Sequence, residues 1–309
     1  MELENGVQRW VVNISEWNPS FHHFSLAMSV LPHHEHTSIT RYVKLDDRKR
    51  AVVSRLLQYG VVHQVLGIPF DEIIIRRTPE GKPFLVYDSM KLGLPNFNFN
   101  VSHHGDYVAI ASEPICLVGL DIVSQSIPTN ETADEFIQNF SSYFSSLEWH
   151  HIMNAGSSRE MTNFFYRYWC LKEAFVKAMG TGVGYKLDDV EFYHTSWDNI
   201  FVKVSGNVLN DWKFYLSELG QNHSVCIARG NPKTAITSYM RTLKQTEFSD
   251  EEYKIGLHLP NASFKFQTVE DLIQLCHRAG RTSSVDTLIK PRDVFNDEIE
   301  KANSCVEKT

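Results

Sequence analysis

The chain has 309 residues, of which 42% are hydrophobic and 12% aromatic, and its formal net charge is −7. This length and composition predict a globular protein with one large core or two smaller ones, and the acidic balance argues against a nucleic-acid-binding protein. No run of about 18 apolar residues is present to span a membrane, and the start lacks the basic residues and apolar stretch of a signal peptide, so we expect a cytosolic protein without membrane association.

The first third of the chain begins with a strand and continues into a long helix. The strand pattern lies in RWVVNIS at 9–15, and the helix pattern covers 46–66, with Asp46 or Asp47 expected as its N-cap and Gly67 as its stop. Between them, HHEH at 33–36 has enough histidine for a metal site. It lacks the H-E-x-x-H spacing and a matching distant ligand, so we interpret it as part of a polar loop.

The beginning of the long helix is rich in basic residues. Six basic residues accompany only two acidic ones between positions 41 and 55, a local excess of four positive charges. The sequence favours a solvated helix face here, and a surface for an acidic partner is the alternative. The basic residues are Arg41, Lys44, Arg48, Lys49, Arg50 and Arg55, and the acidic ones are Asp46 and Asp47.

Short β-rich pieces follow, separated by turn-forming residues. They are EIIIRRT, KPFLVY, FNFNVS and DYVAIAS, and a further strand is predicted at 117–123. Helices are expected near 131–154 and 160–179, and then strands within DVEFY, IFVKVSG, WKFYLSEL and SVCIARG. The segments HHGDYVAIASEP and QNHSVCIARGNP both place a strand between a histidine and a proline, which hints at two related half-domains.

Beyond about residue 235 the composition becomes more polar and acidic. TVEDLIQLCHRAG predicts a short helix with Thr268 as its N-cap and Asp271 three residues later, and we expect the rest to be an appendage. The cysteines are odd in number and show no C-x-x-C spacing, so they indicate free thiols rather than a disulfide framework or a zinc site. They are Cys116, Cys170, Cys226, Cys276 and Cys305.

Three charged residues lie in apolar patterns. Asp121 sits inside the strand GLDIV, where a carboxylate is costly unless it is paired or bound to a metal; the alternative is that it points outward to solvent. Glu173 and Lys177 fit an ordinary i, i+4 surface pair on a helix. Together with Trp169 they would equally form a charged stripe that borders a cleft.

Two further segments carry groups suited to phosphate. Asn100, Ser102 and His103 come at the end of a predicted strand, where small donors suit an oxyanion. The loop RRTPEGKPF at 76–84 holds three basic residues around a turn, an arrangement that fits either a phosphate or simple solubility.

The order of these motifs, RRTPEGKPF, NVSH, VGLDIV and WCLKEAFVK, resembles that of the 4′-phosphopantetheinyl transferases. The resemblance runs from about residue 40 to 230 and is nearest to the large animal members. It implies an α+β fold of two similar half-domains related by pseudo-twofold symmetry, with the active site at their interface. The half-domains would be 1–116 and 117–235, followed by a polar C-terminal extension at 236–309.

The resemblance also implies an activity. Such enzymes transfer the 4′-phosphopantetheine arm of coenzyme A to a serine of an apo acyl or peptidyl carrier domain and release adenosine 3′,5′-bisphosphate, which makes the expected enzyme a holo-[acyl-carrier-protein] synthase. Coenzyme A is the substrate and Mg²⁺ the expected cofactor. Carrier proteins such as that of fatty acid synthase are the expected partners of a monomeric enzyme.

Site residues follow from the resemblance, motif by motif. Asp121 and Glu173 would bind the metal, and Glu173, Lys177 and His103 would be catalytic, with Glu173 as the candidate base for the attacking serine. Coenzyme A would contact Arg41, Arg77, Thr78, Pro79, Glu80, Gly81, Lys82, Asn100, Val101, Ser102, His103, Glu173 and Lys177.

Two positions depart from the family pattern. Val123 stands where bacterial surfactin-type members have a second acid, so we expect water as the third metal ligand. Ser38 stands where a basic residue is expected, and Arg41 is our substitute for it.

The runner-up hypothesis is a catalytically inactive coenzyme A-binding or carrier-binding protein of the same fold. Retention of Asp121, Glu173 and Lys177 argues against that hypothesis. A nucleotide-dependent kinase lacks support, because the sequence has no P-loop or kinase-loop pattern.

Overall fold

The computed structural model describes residues 3–86, 94–182 and 184–280. In the first half of the chain the elements are β1 (Gln8–Asn13), α1 (Phe21–Ser29), α2 (His33–Thr40), α3 (Leu45–Leu66), β2 (Ile75–Arg77), β3 (Pro83–Leu85), β4 (Asn98–His104) and β5 (Tyr107–Glu113). In the second half they are β6 (Leu117–Ser124), α4 (Ala133–Gln138), α5 (Ser146–Met153), α6 (Ser158–Met179), β7 (Val190–Thr195), β8 (Asp198–Val204), β9 (Asn207–Leu209), β10 (Lys213–Glu218) and β11 (His223–Gly230). The C-terminal elements are α7 (Thr237–Met240), α8 (Asp250–His258), β12 (Lys265–Phe266) and α9 (Val269–Gly280).

The two halves repeat one order of elements. Each has a strand, two short helices, a 22-residue helix, a small antiparallel sheet and an antiparallel strand pair. The sheet order β1-β5-β4 in the first half corresponds to β6-β11-β10 in the second. The two echoing sequence segments contain β5 and β11, the central strands of these sheets, so their likeness has a structural reason. The prediction of an α+β fold with two similar halves is confirmed.

Each half has its own core between its long helix and its sheet. In the first, Leu56 and Tyr59 of α3 are buried together with Phe99 and Ile110 of the sheet. The aromatic core of the second half places Phe175 of α6 against residues of β7 and β10. None of the helices in the described ranges is long and apolar enough to cross a membrane.

Side chains of β4 join the two sheets. Every second residue of β4 points toward β6, because side chains alternate along a strand, and each accepts a hydrogen bond from a β6 backbone N–H at 2.8 to 3.1 Å. The four acceptors are Asn98 Oδ1, Asn100 Oδ1, Ser102 Oγ and His104 Nδ1, and the donors are the amides of Val118, Leu120, Ile122 and Ser124. This side-chain ladder fixes the strand that carries Asn100 and Ser102 against the strand that carries Asp121.

A buried ion cluster also joins the halves, close to the Asn98 end of this ladder. Glu113 of β5 accepts hydrogen bonds from the guanidinium groups of Arg9 on β1 and Arg229 on β11. All three side chains are fully buried. One carboxylate thus neutralises part of two buried positive charges. Other guanidinium N–H groups bind backbone carbonyls, Arg9 Nε donates to Asn261 Oδ1, and Arg229 Nε has no partner within the described residues.

Several local predictions were wrong for physical reasons. HHEH lies in helix α2 rather than in a loop, and Glu35 within it pairs with Arg55 of α3 at 2.7 Å. Helix α3 begins after Lys44, and Asp46 and Asp47 lie in its first turn rather than at its N-cap. Their negative charges interact favourably there with the positive end of the helix dipole. The expected helix at 131–154 is two short helices, because Thr132 and Ser145 each start a capping box.

The C-terminal extension is not an appendage in its described part. β12 pairs with β1 in parallel, and α9 packs on α3, with Leu272, Ile273 and Cys276 buried in the first core. The predicted cap is confirmed, since Thr268 Oγ1 accepts from the N–H of Asp271 at 3.0 Å. The sequence pattern did not indicate this packing, because the four elements here are short and separated by polar turns.

Candidate active site

A cleft runs along α6 between the two half-domains. It consists of two cavities of about 580 and 560 Å³ that share Trp169, Glu173 and Lys177 on the wall formed by α6. The loop-side cavity is lined by the β2–β3 turn, β4 and the segment after α6. The strand-side cavity is lined by the ends of β4 and β6 and by aromatic residues between 136 and 166.

Helix α6 presents its charges in two directions. Ser157 caps its first turn, and Gly180 ends it at a φ of +80°, which suits glycine. Adjacent helical residues point about 100° apart. Lys172 therefore turns into the second core, where it pairs with buried Glu148 at 2.7 Å, while Glu173 faces the cleft.

A glycine on β6 allows α6 to come close to the strand. A Cβ atom at Gly119 would lie 1.8 Å from the carbonyl oxygen of Ala174 and 2.6 Å from the amide nitrogen of Ala178. These two alanines follow Glu173 and Lys177 directly. The close approach brings the acid on the strand and the charges on the helix into one site.

Asp121 is buried and points into this site, so its outward-facing alternative is wrong. It exposes 4% of its surface. Its Oδ1 accepts from Lys177 Nζ at 2.5 Å and from Ser102 Oγ at 3.1 Å. Its Oδ2 is buried and has no hydrogen-bond partner within the described residues.

Glu173 and Lys177 do not form the expected surface pair. The ammonium of Lys177 contacts Asp121 and Ser102 instead. Burial, followed by the neighbouring charge of Asp121, raises the pKa of Glu173 above its usual value. Burial works to lower the pKa of Lys177, but Asp121 and Glu173 raise it overall, so this lysine stays charged.

The residues at this point fit a divalent cation. A buried carboxylate oxygen without a partner and a second carboxylate in the same cavity are hard oxygen ligands of the kind that Mg²⁺ prefers. Within the described ranges, no cluster of three His, Cys, Asp or Glu side chains encloses a metal position. A cation here would therefore take its remaining ligands from substrate and water. Val123 lies on the wall of the same cavity and offers no oxygen.

The β2–β3 turn forms one wall of the loop-side cavity. It is closed by hydrogen bonds from the N–H of Thr78 to the carbonyl of Lys82 and from the N–H of Gly81 to the carbonyl of Thr78, both 2.9 Å. Gly81 has a φ of +95°, a conformation that favours glycine. The Arg77 guanidinium bonds the carbonyl of Gly81 at 2.8 Å and lines the cavity. Pro79 and Glu80 form the exposed tip of the turn.

The structure places the charge of Lys82 elsewhere than the predicted contact with coenzyme A. Its ammonium is buried and donates to the carbonyls of Val118 at 3.0 Å, Lys177 at 2.5 Å and Ala178 at 3.3 Å. These three bonds use all of its donors, so the structure does not present the Lys82 ammonium to a phosphate. Lys82 instead binds the last turn of α6 to β6.

The predicted strand-end residues divide between the two cavities. Asn100 and Val101 line the loop-side cavity, whereas Ser102 and His103 line the strand-side cavity. Partial burial, followed by the charges of Lys177 and Arg50, lowers the pKa of His103. His103 is therefore neutral near pH 7 and offers hydrogen-bonding nitrogens rather than a charge.

Arg55, which the sequence placed only in the basic segment, lies beside Ser38. Arg55 of α3 donates to Ser38 Oγ at 3.4 Å and pairs with Glu35. Burial lowers the pKa of Arg77, and the charges of Arg55 and Arg41 lower it further. The spacing of 17 residues between Ser38 and Arg55 carries no sequence signal, since only the packing of α2 on α3 joins them.

The segment after α6 was also missed as a part of the site. Gly180, Gly182, Gly184 and Tyr185 line the loop-side cavity, and the three glycines have φ values between +66° and +105°. A signal was present in the sequence, because three glycines alternate over five residues directly after a helix.

Comparisons with known proteins show which family the chain resembles. Residues 15–115 match the family model described as 4′-phosphopantetheinyl transferase, N-terminal, and residues 117–228 match that of the 4′-phosphopantetheinyl transferase superfamily. The chain is 34% identical over 232 residues to the L-aminoadipate-semialdehyde dehydrogenase-phosphopantetheinyl transferase of Mus musculus, an alignment that covers 72% of this chain and 75% of the relative. It is 30% identical over 257 residues to a phosphopantetheinyl transferase of Thraustochytrium sp., covering 80% of this chain and 88% of the relative.

Among solved structures, the holo-[acyl-carrier-protein] synthase of Thermotoga maritima is similar over 38% of this chain and 64% of its own, with 22% identity and a TM-score of 0.28.

Proposed function

This chain belongs to the 4′-phosphopantetheinyl transferase superfamily, and we propose that it transfers the 4′-phosphopantetheine arm of coenzyme A to a carrier-domain serine at the Asp121–Glu173 site. The observation that carries this proposal is the convergence of Asp121 from β6 with Glu173 and Lys177 from α6 in one cleft, with one buried carboxylate oxygen left without a partner. Phosphoryl transfer depends mainly on positioning and charge neutralisation, which these groups supply.

We assign coenzyme A to the loop-side cavity. The guanidinium group of Arg77 lines this cavity and suits the 3′-phosphate of the nucleotide, and the charges of Arg55 and Arg41 add to the positive field around it. The β2–β3 turn, Asn100 and Val101 provide a shaped wall for the adenosine. The diphosphate would then lie next to Lys177, where the two cavities meet.

Asp121 Oδ2 and Glu173 are the groups that would hold Mg²⁺. When bound there, Mg²⁺ would neutralise negative charge on the diphosphate. The hydrogen bonds from Lys177 and Ser102 to Oδ1 leave Oδ2 as the free ligand and fix the orientation of Asp121. With Val123 beside them, the remaining ligands are substrate oxygens and water.

Residues of the chain can accept the proton of the attacking serine and stabilise the negative charge that develops during transfer. The serine hydroxyl attacks the β-phosphorus, its new Oγ–P bond forms, and the bond to the 5′-phosphate of the departing adenosine 3′,5′-bisphosphate breaks. Glu173, whose pKa is raised by burial, is the proposed acceptor of the serine proton. Lys177 remains charged and faces the developing negative charge, and neutral His103 offers a hydrogen bond at the mouth of the strand-side cavity.

We assign the acceptor to acyl carrier domains, such as that of fatty acid synthase, and the enzyme to the holo-[acyl-carrier-protein] synthases acting as a cytosolic monomer. The basic segment at 41–55 has fewer free positive charges for an acidic partner than its six basic residues indicate. Lys49, Arg50 and Arg55 are paired within the chain. Lys44 and Arg48 remain for a salt-sensitive attraction to a carrier.

Mass spectrometry of several apo carriers, incubated with the enzyme, coenzyme A and Mg²⁺, tests this proposal. The expected product carries the mass of the phosphopantetheine arm on its serine, and a chelator abolishes the gain. Asp121→Asn and Glu173→Gln are expected to abolish transfer. Glu160→Gln, about 20 Å away on the same helix by its 1.5 Å rise per residue, is the matched control and should retain activity.

Two results would contradict the proposal. Binding of coenzyme A with no transfer to any carrier would favour the inactive binding protein of the same fold. Transfer that survives both Asp121→Asn and Glu173→Gln would place the chemistry elsewhere in the chain.

A further inference from the structure

The segment after β11 lies outside both ranges that match the family models, the second of which ends at residue 228. We call residues 231–240 the strap. The N–H of Ile236 donates to the carbonyl of Met179 at 3.1 Å, and Ser238 Oγ donates to Glu80 Oε2 at 2.7 Å. The strap therefore contacts the end of α6 and the β2–β3 turn, two walls of the proposed coenzyme A cavity.

Tyr239 lies at the centre of these contacts. It exposes 1% of its surface, and its hydroxyl donates to Asn98 Oδ1 at 3.2 Å. The ammonium of Lys82 lies 4.6 Å from the centroid of its ring. A Cβ atom on Gly180 would lie 3.1 Å from Tyr239, so the ring packs directly on the end of α6.

Each partner of Tyr239 belongs to a different part of the site. Gly180 ends the helix one turn after Lys177. Lys82 closes the β2–β3 turn and binds carbonyls in the last turn of α6. Asn98 begins the side-chain ladder that holds β4 against β6. One ring thus contacts the helix end, the turn and the strand pair together.

The ring also accounts for the unusual position of the Lys82 ammonium. That group is buried, and no carboxylate in the described part of the chain pairs with it. Its stabilising neighbours are three carbonyl oxygens and the negative face of the Tyr239 ring. Removal of the ring would weaken the hold of Lys82 on the α6 carbonyls, and the turn of α6 that carries Lys177 would lose two contacts at once.

We propose that Tyr239 is a positioning residue for the transfer reaction, acting through Gly180 and Lys82 to fix Lys177 and the β2–β3 turn around coenzyme A. This inference rests on the function proposed above. It assigns a role in the reaction to the C-terminal segment that follows the family-matched ranges.

Tyr239→Leu and Tyr253→Leu form a matched pair for the test. Tyr253 is also a buried tyrosine of the C-terminal segment, but its hydroxyl binds the carbonyl of Asp211 and its ring packs near Ile115 and Cys116. Both variants lose an aromatic ring from a buried site, so we expect both to lower the melting temperature. At 25 °C we expect Tyr239→Leu to reduce kcat/KM by about 10- to 100-fold, since a misplacement of about 1 Å has effects of that size. Tyr253→Leu should stay close to wild type.

Two further readouts separate positioning from a general loss of stability. Tyr239→Phe keeps the ring and should restore most of kcat/KM. In a double-mutant cycle, the effect of Tyr239→Leu on kcat/KM should be smaller in the background of Lys177→Ala, because part of the effect of the ring passes through that lysine and only the part that passes through the β2–β3 turn would remain. Additive effects in the cycle would overturn the proposal, and so would a kcat/KM for Tyr239→Leu equal to that of Tyr253→Leu.

The role of Tyr239 can still be tested if one variant does not fold or if no transfer is detected. If Tyr239→Leu does not fold, Lys82→Met keeps the buried stem and removes the ammonium, and it should show the same kinetic loss; activity equal to that of Tyr253→Leu would overturn the proposal. If the wild-type chain transfers nothing, the proposed function fails. Calorimetric titration with coenzyme A would then still test positioning, because Tyr239→Leu should weaken binding and Tyr253→Leu should not.

Discussion

Replacing Gly119 by alanine tests whether the close approach of α6 to β6 creates the site. The new Cβ atom would lie 1.8 Å from the carbonyl oxygen of Ala174 and 2.6 Å from the amide nitrogen of Ala178. Real Cβ atoms essentially never lie closer than 3.0 Å to a heavy atom, so α6 and β6 must move apart by at least the difference between 1.8 and 3.0 Å. Since both contacts are to backbone atoms, no side-chain rotation relieves them.

This displacement falls on the residues next to Glu173 and Lys177. A shift of about 1 Å in a positioned group costs about 100-fold in rate, so we expect Gly119→Ala to reduce kcat/KM by about that factor or more. Overpacking of a tight contact also destabilises a protein by about 1 to 3 kcal/mol. The variant should therefore unfold at a lower temperature and, while folded, transfer the arm slowly.

The assay is the initial rate of arm transfer to an apo carrier at 25 °C, followed by mass spectrometry, together with thermal unfolding. Gly67→Ala is the control, because Gly67 ends α3 at a φ of +69° with no heavy atom within 4 Å of a built Cβ. The strained backbone should lower the stability of this variant by about 1 to 2 kcal/mol and leave kcat/KM unchanged. A Gly119→Ala enzyme with the kcat/KM of Gly67→Ala would refute the argument that this contact aligns the site.

Three further predictions concern single groups. Lys177→Met should lower kcat/KM by about 100- to 1,000-fold in the same transfer assay, because its ammonium lies 2.5 Å from Asp121 Oδ1; an unchanged rate would exclude a catalytic role. Glu113→Gln should destabilise the fold by about 3 to 5 kcal/mol in urea unfolding, because two fully buried guanidinium groups lose their counter-ion, and a loss below 1 kcal/mol would contradict this. The pKa of His104 is lowered from about 6.5 by burial, and its neutral Nδ1 accepts the N–H of Ser124. Its contribution to stability is therefore present above pH 6.5 and lost as the pH falls toward the lowered value. His104→Asn, which keeps a neutral acceptor, should flatten the fall in melting temperature between pH 7 and pH 5, and an unchanged slope would assign that fall to other groups.

Local pattern was sufficient for the elements that carry most of the site. Helix α6 follows from its apolar spacing and from Gly180, whose αL conformation ends it. The strand with Asp121 follows from an apolar run between turn signals. The repeated patterning of β5 and β11 was visible in the sequence because equivalent central strands are buried on both faces and accept similar residues.

Contacts between residues far apart in the sequence could not be predicted from local pattern. Whether Asp121 faces solvent or the cleft depends on which strand lies beside β6, and the ladder from β4 decides it. Arg55 reaches Ser38 only because α2 packs on α3. The Lys82 ammonium was expected at a phosphate, but the folded chain offers it three carbonyls at the end of α6.

The sequence by itself determined which residue types are available and where the long helices and buried strands occur, because these depend on spacing over a few residues. The tertiary structure alone decided which of the charged groups meet. It joined Lys177 to Asp121 across 56 positions of sequence and brought Tyr239 to Asn98 across 141. Such contacts depend on how two sheets and the C-terminal segment pack around α6, and no local periodicity encodes that arrangement.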